Sequence, residues 1–346
     1  MEKIKVGLAA FGMSGSVFHA PFLNIHPGFE LSAIVERSRD DAKAIYPEVR
    51  ILRSFDELAE DESIELIVVN TPDPTHFSLA HKALKAGKHV IVEKPFVLSV
   101  GQAEELISLA NHKEKILSVY QNRRWDGDSL TVRNILQQGL LGRVVEFQSN
   151  FCRFRPVPVE GTWKEDGKVT GLTYNLGSHL IYEAISFFGI PDSISGDLDT
   201  FRDGGNIEDY FVIRMNYPRM RAVLRASYME REPSPRYVIH GDKGSFVKYG
   251  TDPQEAQLKM KQIPQGIDWG KEDSQFWGLL HTEIDGKVFR EKIQTLPGSY
   301  QNYYDNIYEA IREGKPLIVT PSDAANVIKI IEAAHKSSQN GSVIEM

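Results

Sequence analysis

In the stretch His89–Ser99, HVIVEKPFVLS, the apolar run Val90-Ile91-Val92 stops at Glu93 and Lys94, and a proline follows at once. In an open α/β sheet, ligands bind beyond the carboxyl ends of the strands. A carboxylate and an ammonium placed there could handle a proton on a bound molecule. A lysine accepts a proton near neutral pH only if burial and positive neighbours depress its pKa. A histidine needs no such help, and one stands in TYNLGSHLIYEA as His179. It follows Asn175 by four residues, so on a helix the two side chains share one face. Taken alone, Glu93 and Lys94 also read as a surface ion pair, and His179 as a packed helical residue.

A second group lies near the N-terminus, in VGLAAFGMSGSVFHAP. A dinucleotide turn has the form G-x-G-x-x-G, because glycine lets the backbone approach a pyrophosphate seated on the next helix N-terminus. Here the pattern is Ala10-x-Gly12-x-x-Gly15, with Ser14 inside the turn and one glycine replaced by alanine. The motif by itself is also compatible with a plain strand-to-helix turn. Its context favours the dinucleotide: it follows the first apolar strand, opens a helix, and the second strand ends in Glu36. That spacing suits an acidic residue bound to the adenosine ribose. Arg37 follows, and the pair conflicts. A carboxylate favours NAD by repelling a 2′-phosphate, whereas an arginine can pair with that phosphate or stack on adenine. The expectation is NAD or NADP, with NAD slightly favoured. Thr71, Pro72 and His76, after the apolar run at 65–70, are expected to brush the cofactor.

These residues need a scaffold. Short, continuous apolar runs at 4–9, 31–35, 65–70, 89–93 and 116–120 read as strands buried on both faces of a parallel sheet. Helical segments at 14–26, 39–46, 54–61, 74–86 and 99–111 alternate with them, which is the doubly wound pattern. In the fourth of these, Asp73 is a candidate cap, Pro74 a first-turn residue and Gly87 the stop. After a helix at 128–138 the strands become longer and more alternating, at 143–153, 208–216, 220–229, 236–240 and 287–295. A helix at 175–188 interrupts them. Residues 250–285 read as a long loop and the C-terminus as an amphipathic helix. The expected class is α/β: an N-terminal doubly wound Rossmann domain, 1–122, and a C-terminal α+β domain with an open, largely antiparallel sheet, 123–346. The C-terminal helix is a candidate to pack back onto the first domain.

Composition bounds the function. The 346 residues carry 40 basic and 47 acidic side chains, a net charge of −7 with both signs mixed. Without a basic footprint, nucleic acid is not an expected partner. One cysteine, Cys152, leaves no disulfide framework or cysteine metal site. No apolar run reaches the ~18 residues of a membrane helix, and no signal-peptide core is visible. The expectation is a cytoplasmic protein without a metal.

The segments AAFGMSGSVFHAPFL, NTPDPTHFSLAHKALKAGKHVIVEKP, SVYQNRRWDGDSLTVRNIL, YNLGSHLI and GSYQNYYDNI, in that order, resemble the Gfo/Idh/MocA oxidoreductases. Within that family they look most like the NADP-linked scyllo-inositol dehydrogenases. The resemblance implies reversible hydride transfer between a nicotinamide and a polyol, inositol or sugar. It implies Lys94 as the catalytic residue, a cis peptide between Lys94 and Pro95, and His179 as base or proton relay. Glu93 would join the cofactor site. Asn122, Arg123 and Asn175 would line the substrate pocket. Tyr237 falls where a family member offers a pocket hydroxyl, and a core role is the alternative. Trp163 could flank the nicotinamide or plug a domain interface, and Arg124, Trp125 and Asp126 extend the Asn122 motif with a structural alternative. The resemblance also implies a homodimer or homotetramer formed through the open sheet. The chain departs from those dehydrogenases at Asn175 and Tyr182, where they often carry aspartate. Two other activities occur on this fold: an NAD-using glycosidase, and a non-enzymatic dinucleotide-binding sensor.

Overall fold

The computed structural model describes residues 2–162, 165 and 171–346. The first part of the chain runs β1 (Ile4–Leu8), α1 (Ala20–Ile25), β2 (Phe29–Val35), α2 (Asp41–Ile45), β3 (Arg50–Leu52), α3 (Phe55–Glu60), β4 (Leu66–Val69), α4 (His76–Lys85), β5 (His89–Val92), α5 (Val100–His112) and β6 (Leu117–Val119). Next come α6 (Gly127–Gln137), β7 (Val144–Asn150), α7 (Ser178–Phe188), β8 (Ser193–Asp199), β9 (Tyr210–Tyr217), β10 (Met220–Ser227), β11 (Tyr237–Gly241) and β12 (Gly244–Lys248). The chain ends with α8 (Gln254–Lys259), β13 (Gly278–Ile284), β14 (Lys287–Ile293), α9 (Gln301–Glu313), α10 (Pro321–Asn340) and β15 (Ile344–Glu345).

Two compact units result. One comprises Met1–Asn122, Gln254–Trp269 and Tyr300–Ala325; the other comprises Arg123–Pro253, Gly270–Ser299 and Asn326–Met346. The first holds a six-stranded sheet in the order β3-β2-β1-β4-β5-β6, parallel throughout. All four residues of β4 and the last three of β5 are buried, so both faces of the sheet centre are covered, as the unbroken apolar runs require. Each such Val, Ile or Leu contributes roughly 1.5–3 kcal/mol by leaving water. Strand order reverses between β1 and β4, which opens a crevice at their carboxyl ends. From Tyr300 onward the motif GSYQNYYDNI also belongs to this unit: Tyr300, Tyr303 and Tyr304 are buried, and Tyr304 stacks on Phe22 at 5.5 Å.

The second unit holds a nine-stranded sheet in the order β14-β13-β12-β11-β7-β10-β9-β8-β15. Only β7 and β10 pair in parallel; the other neighbours are antiparallel. Burial alternates along β9 and β10, as expected when one face packs on helices. That face meets α7, where Phe187 and Phe188 contact Phe147.

Several expectations need correction. Residues 250–285 are not one long loop: they hold α8, a 3-10 turn at Ser274–Phe276 and all of β13. The strand GLLHTEI pairs with β12 and β14, and such non-local partners leave no local signal. Strands β3, β8, β12 and β15 were also unforeseen. Pro72, not Asp73, stands at the cap of the turn before α4, and Asp73 lies inside a 3-10 turn with Thr75. The helix expected at 14–26 is a π segment, Ser14–His19, followed by α1. Pro21 lacks the N–H for an i→i−4 bond, so α1 starts afresh with that proline in its first turn.

Candidate functional site

The turn after β1 is tied to the end of β4. Ala9 N donates to Val68 O at 2.9 Å. Asn70 accepts from Ala10 N at 3.1 Å and donates to Ala10 O at 2.8 Å. Asn70 was not singled out from the sequence, although it is the polar residue that ends the run LIVV. The glycines of the turn do different work. A Cβ at Gly15 would fall 2.3 Å from Ala10 O and 2.7 Å from Asn70 Nδ2, so only glycine permits this approach. A Cβ at Gly12 would meet nothing within 4 Å, which leaves its outward side to a ligand.

A cavity of about 620 Å³ adjoins this turn. Ala10 and Gly12 line it beside Glu36, Arg37, Thr71 and Pro72. Ser38, Arg39, Arg53 and Thr75, which the sequence reading passed over, line it too. Open space at Gly12, the close approach at Gly15 and a crevice at the strand reversal fit a dinucleotide. Ala10 and Gly12 of the turn line one side of the cavity and residues 36–39 another, while Ser14 and Gly15 do not line it. His76 is fully buried. Its ring spans Pro95 O at 2.8 Å and Thr71 O at 2.9 Å, bracing the ends of β5 and β4.

Glu93 and Lys94 leave β5 next to β4. The Lys94–Pro95 peptide is cis. Glu93 accepts hydrogen bonds from the Ser14 hydroxyl, from Lys94 N at 3.1 Å and from His19 Nε2 at 3.1 Å. His19 in turn contacts the Tyr304 hydroxyl at 2.9 Å. Burial pushes the Glu93 carboxyl up, but hydrogen bonds from His19 and Ser14 and the charges of His19 and Lys94 prevail, holding it down at about 2. Glu93 is therefore an anion that joins Ser14 of the dinucleotide turn to the backbone of Lys94. His19 and Tyr304 were missed because their partners are distant in sequence.

In the second unit, Asn175 lies in a π segment, Thr173–Gly177, that leads into α7. His179 is the second residue of α7 and is buried. Tyr237 is fully buried, its hydroxyl donated to Glu183. Arg236 pairs with Glu183 at 2.9 Å, and Ser149 donates to the same carboxylate at 2.7 Å. Burial raises the Glu183 pKa, against the opposing pull of Arg236 and Tyr237. Arg123 pairs with Asp126 at 3.0 Å and lies over Phe151. Asn122 ends the first segment of the first unit and is buried. Trp163 lies outside the described residues. Among the described residues, no cluster of three His, Cys, Asp or Glu could hold a metal. No helix among them is long and apolar enough to cross a membrane.

Comparison with known proteins gives the same outline. Residues 4–121 match the family model "Oxidoreductase family, NAD-binding Rossmann fold" and residues 133–346 its "C-terminal alpha/beta domain". The chain is 37% identical over 340 residues to scyllo-inositol 2-dehydrogenase (NADP(+)) IolW of Bacillus subtilis, covering 98% of this chain and 95% of that protein. It is 41% identical to the uncharacterized oxidoreductase YdgJ of Escherichia coli, covering 98% and 97%. A crystal structure from Bacteroides fragilis superposes with a TM-score of 0.93 at 52% identity, covering all of both chains. A dinucleotide-binding turn, an acidic–lysine–proline strand end and full-length relatedness together place this NAD(P)-binding chain in the Gfo/Idh/MocA family of oxidoreductases.

Proposed function

We propose that the protein transfers a hydride between a nicotinamide cofactor and a cyclic polyol, inositol or sugar, acting on a CH–OH group. One observation carries the reading: the glycine turn after β1 and Lys94 after β5 lie at the same end of the parallel sheet, joined through Glu93. The bound nicotinamide would supply the two-electron exchange. The protein's part is the proton. Removing a hydride from an alcohol carbon requires a partner for the hydroxyl proton, and we assign it to Lys94 with His179. Asn122, Arg123 and Asn175 are assigned to orient the substrate. Tyr237 is the weaker assignment, because Glu183 already takes its hydroxyl. The named Bacillus relative acts on scyllo-inositol, which supports the polyol class. Asn175 and Tyr182 stand where such dehydrogenases often carry aspartate, so a different member of that class is the substrate to seek. An amide at 175 can hydrogen-bond an imidazole but cannot stabilise its cation as a carboxylate does.

The test is absorbance at 340 nm with purified protein, NAD+ or NADP+, and panels of inositols, aldoses and sugar acids. Net accumulation of reduced cofactor with a free polyol supports the assignment. Sugar release from glycosides without it would replace it by an NAD-using glycosidase. Cofactor binding without turnover of any of these would leave the sensor.

We also propose that the nine-stranded sheet pairs with a second copy. On one face Val223, Gln148, Val238, Val247 and Leu279 follow one another in cross-strand register. Light scattering of the wild type should give a dimer or tetramer, and Val238→Lys should shift it to a smaller species.

A further inference from the structure

The turn that carries Asn175 into α7 is a π segment, Thr173–Gly177. Such turns are rare and occur mostly singly inside helices, often at functional sites. Leu172, at the N-cap, has no side-chain oxygen to hold its start. The anchor is Glu208, which lies just before β9. Leu172 N donates to Glu208 O at 3.0 Å. Thr173 donates to Glu208 Oε1 from its hydroxyl at 2.7 Å and from its N–H at 3.3 Å. Thr173 is fully buried. His335 of α10 lies 3.8 Å from the same oxygen, beyond hydrogen-bond distance, so Thr173 is the group that the carboxylate holds.

Gly171 is shaped to receive this carboxylate. A Cβ there would fall 1.8 Å from Glu208 Oε2 and 2.2 Å from its carboxyl carbon, so the carboxylate sits where any other side chain at 171 would begin. The φ of Gly171 lies outside the left-handed region, and space alone opposes an alanine. Gly171 O in turn accepts from Asn175 N at 3.1 Å. The backbone from 171 to 175 is therefore referred to Glu208. His179 follows as the second residue of α7, and all of these residues belong to the second unit. Releasing the turn from π to α bonding would swing Asn175 about the axis relative to His179 by up to about 100°, one residue's share of a 3.6-residue turn.

Resting on the assignment of Asn175 and His179 to the substrate, we infer that Glu208 is the positioning residue of that pair: lodged against Gly171 and bonded to Thr173, its carboxylate fixes the π turn that sets the angle between the two side chains.

Crystal structures of the wild type and Glu208→Ala read the geometry without a substrate. The variant should show the Thr173–Gly177 turn drawn toward α bonding and Asn175 displaced relative to His179 by about 1 Å or more, the scale on which catalysis is lost. Kinetics read the consequence, with scyllo-inositol as the first probe and otherwise the panel member that the wild type oxidises fastest. Such a misplacement should lower kcat by about 10- to 100-fold, while the calorimetric Kd for NAD+ and NADP+ stays within about threefold. Glu208→Gln keeps an oxygen for Thr173 and should recover most of the loss. Gly171→Ala should reproduce the loss with Glu208 intact, because its methyl displaces the carboxylate. Gly171→Ala combined with Glu208→Ala should be no slower than either alone, since the space is then free. An unmoved Asn175 in Glu208→Ala overturns the inference. So does a wild-type kcat in that variant at a lowered melting temperature, which marks a cap that only stabilises. Losses that multiply in the double variant also overturn it, since Gly171 and Glu208 would then act separately. A wild type that oxidises no panel member removes the proposed function instead, and the two crystal structures still decide whether Glu208 sets the turn.

Discussion

Gly12 and Gly15 occupy one turn, yet a methyl group added at each should have opposite consequences. In Gly15→Ala the new Cβ would lie 2.3 Å from Ala10 O and 2.7 Å from Asn70 Nδ2. Ordinary carbon–oxygen contact begins near 3.4 Å, so the turn must move about 1 Å away from β4. Overpacking of this kind costs ~1–3 kcal/mol. It would also break the two Asn70–Ala10 hydrogen bonds, each worth ~0.5–1.5 kcal/mol. At ~2–4 °C per kcal/mol for a unit of this size, the melting temperature should fall by at least several degrees. In Gly12→Ala the methyl meets nothing within 4 Å, and the melting temperature should stay within the ~0.5 kcal/mol expected of a surface change. The methyl would, however, occupy the space assigned to the pyrophosphate. Differential scanning fluorimetry, with and without saturating NADP+ and NAD+, reads both effects. Gly15→Ala should melt early even without cofactor. Gly12→Ala should melt like wild type alone but lose the cofactor-induced rise. Two variants with the same unliganded melting temperature as wild type would refute the packing argument, and a full cofactor shift in Gly12→Ala would refute the placement of the pyrophosphate.

Lys94→Met should lower turnover by ~100- to 10,000-fold, the range of general acid–base catalysis, with cofactor affinity by calorimetry largely kept. His179→Ala should cost a comparable factor, and the double variant less than the product, since residues acting as a unit are non-additive. His89 is held neutral: burial and the nearby Lys115 charge lower its pKa from 6.5 to about 4, and its Nδ1 accepts from Ile116 N. The unfolded chain therefore takes up a proton near pH 6.5 that the folded protein refuses until about pH 4. Stability should fall as pH drops through that window, and urea melts of His89→Asn should show a shallower fall. Arg236→Ala should destabilise by ~3–5 kcal/mol, because it strips the buried Glu183 of its cation. Double substitution with Glu183→Gln should recover part of that loss in the same urea melts.

Much of the first unit is legible in the sequence because its cause is local. Continuous apolar runs separated by helical periods specify a parallel sheet buried on both faces. Gly12, Gly15 and the strand-end residues Glu36, Glu93 and Lys94 stand at offsets set by one strand–turn–helix step. The second sheet is less legible. Its pairing of β7 with β10, and of GLLHTEI with two neighbours, depends on partners tens of residues away, and a short alternating segment carries no label for its partner. The site shows the same division. Residue type and spacing announced that Glu36 ends a strand and that Glu93 precedes Lys94. Only the tertiary structure turned the Glu36 carboxylate onto α2, left Arg37 facing the cavity and closed the line from Tyr304 through His19 to Glu93. The physical reason is that a charge in a sequence has a position but no direction. Which donors it meets, and so whether it binds a ligand or holds the chain, is settled when distant segments pack together.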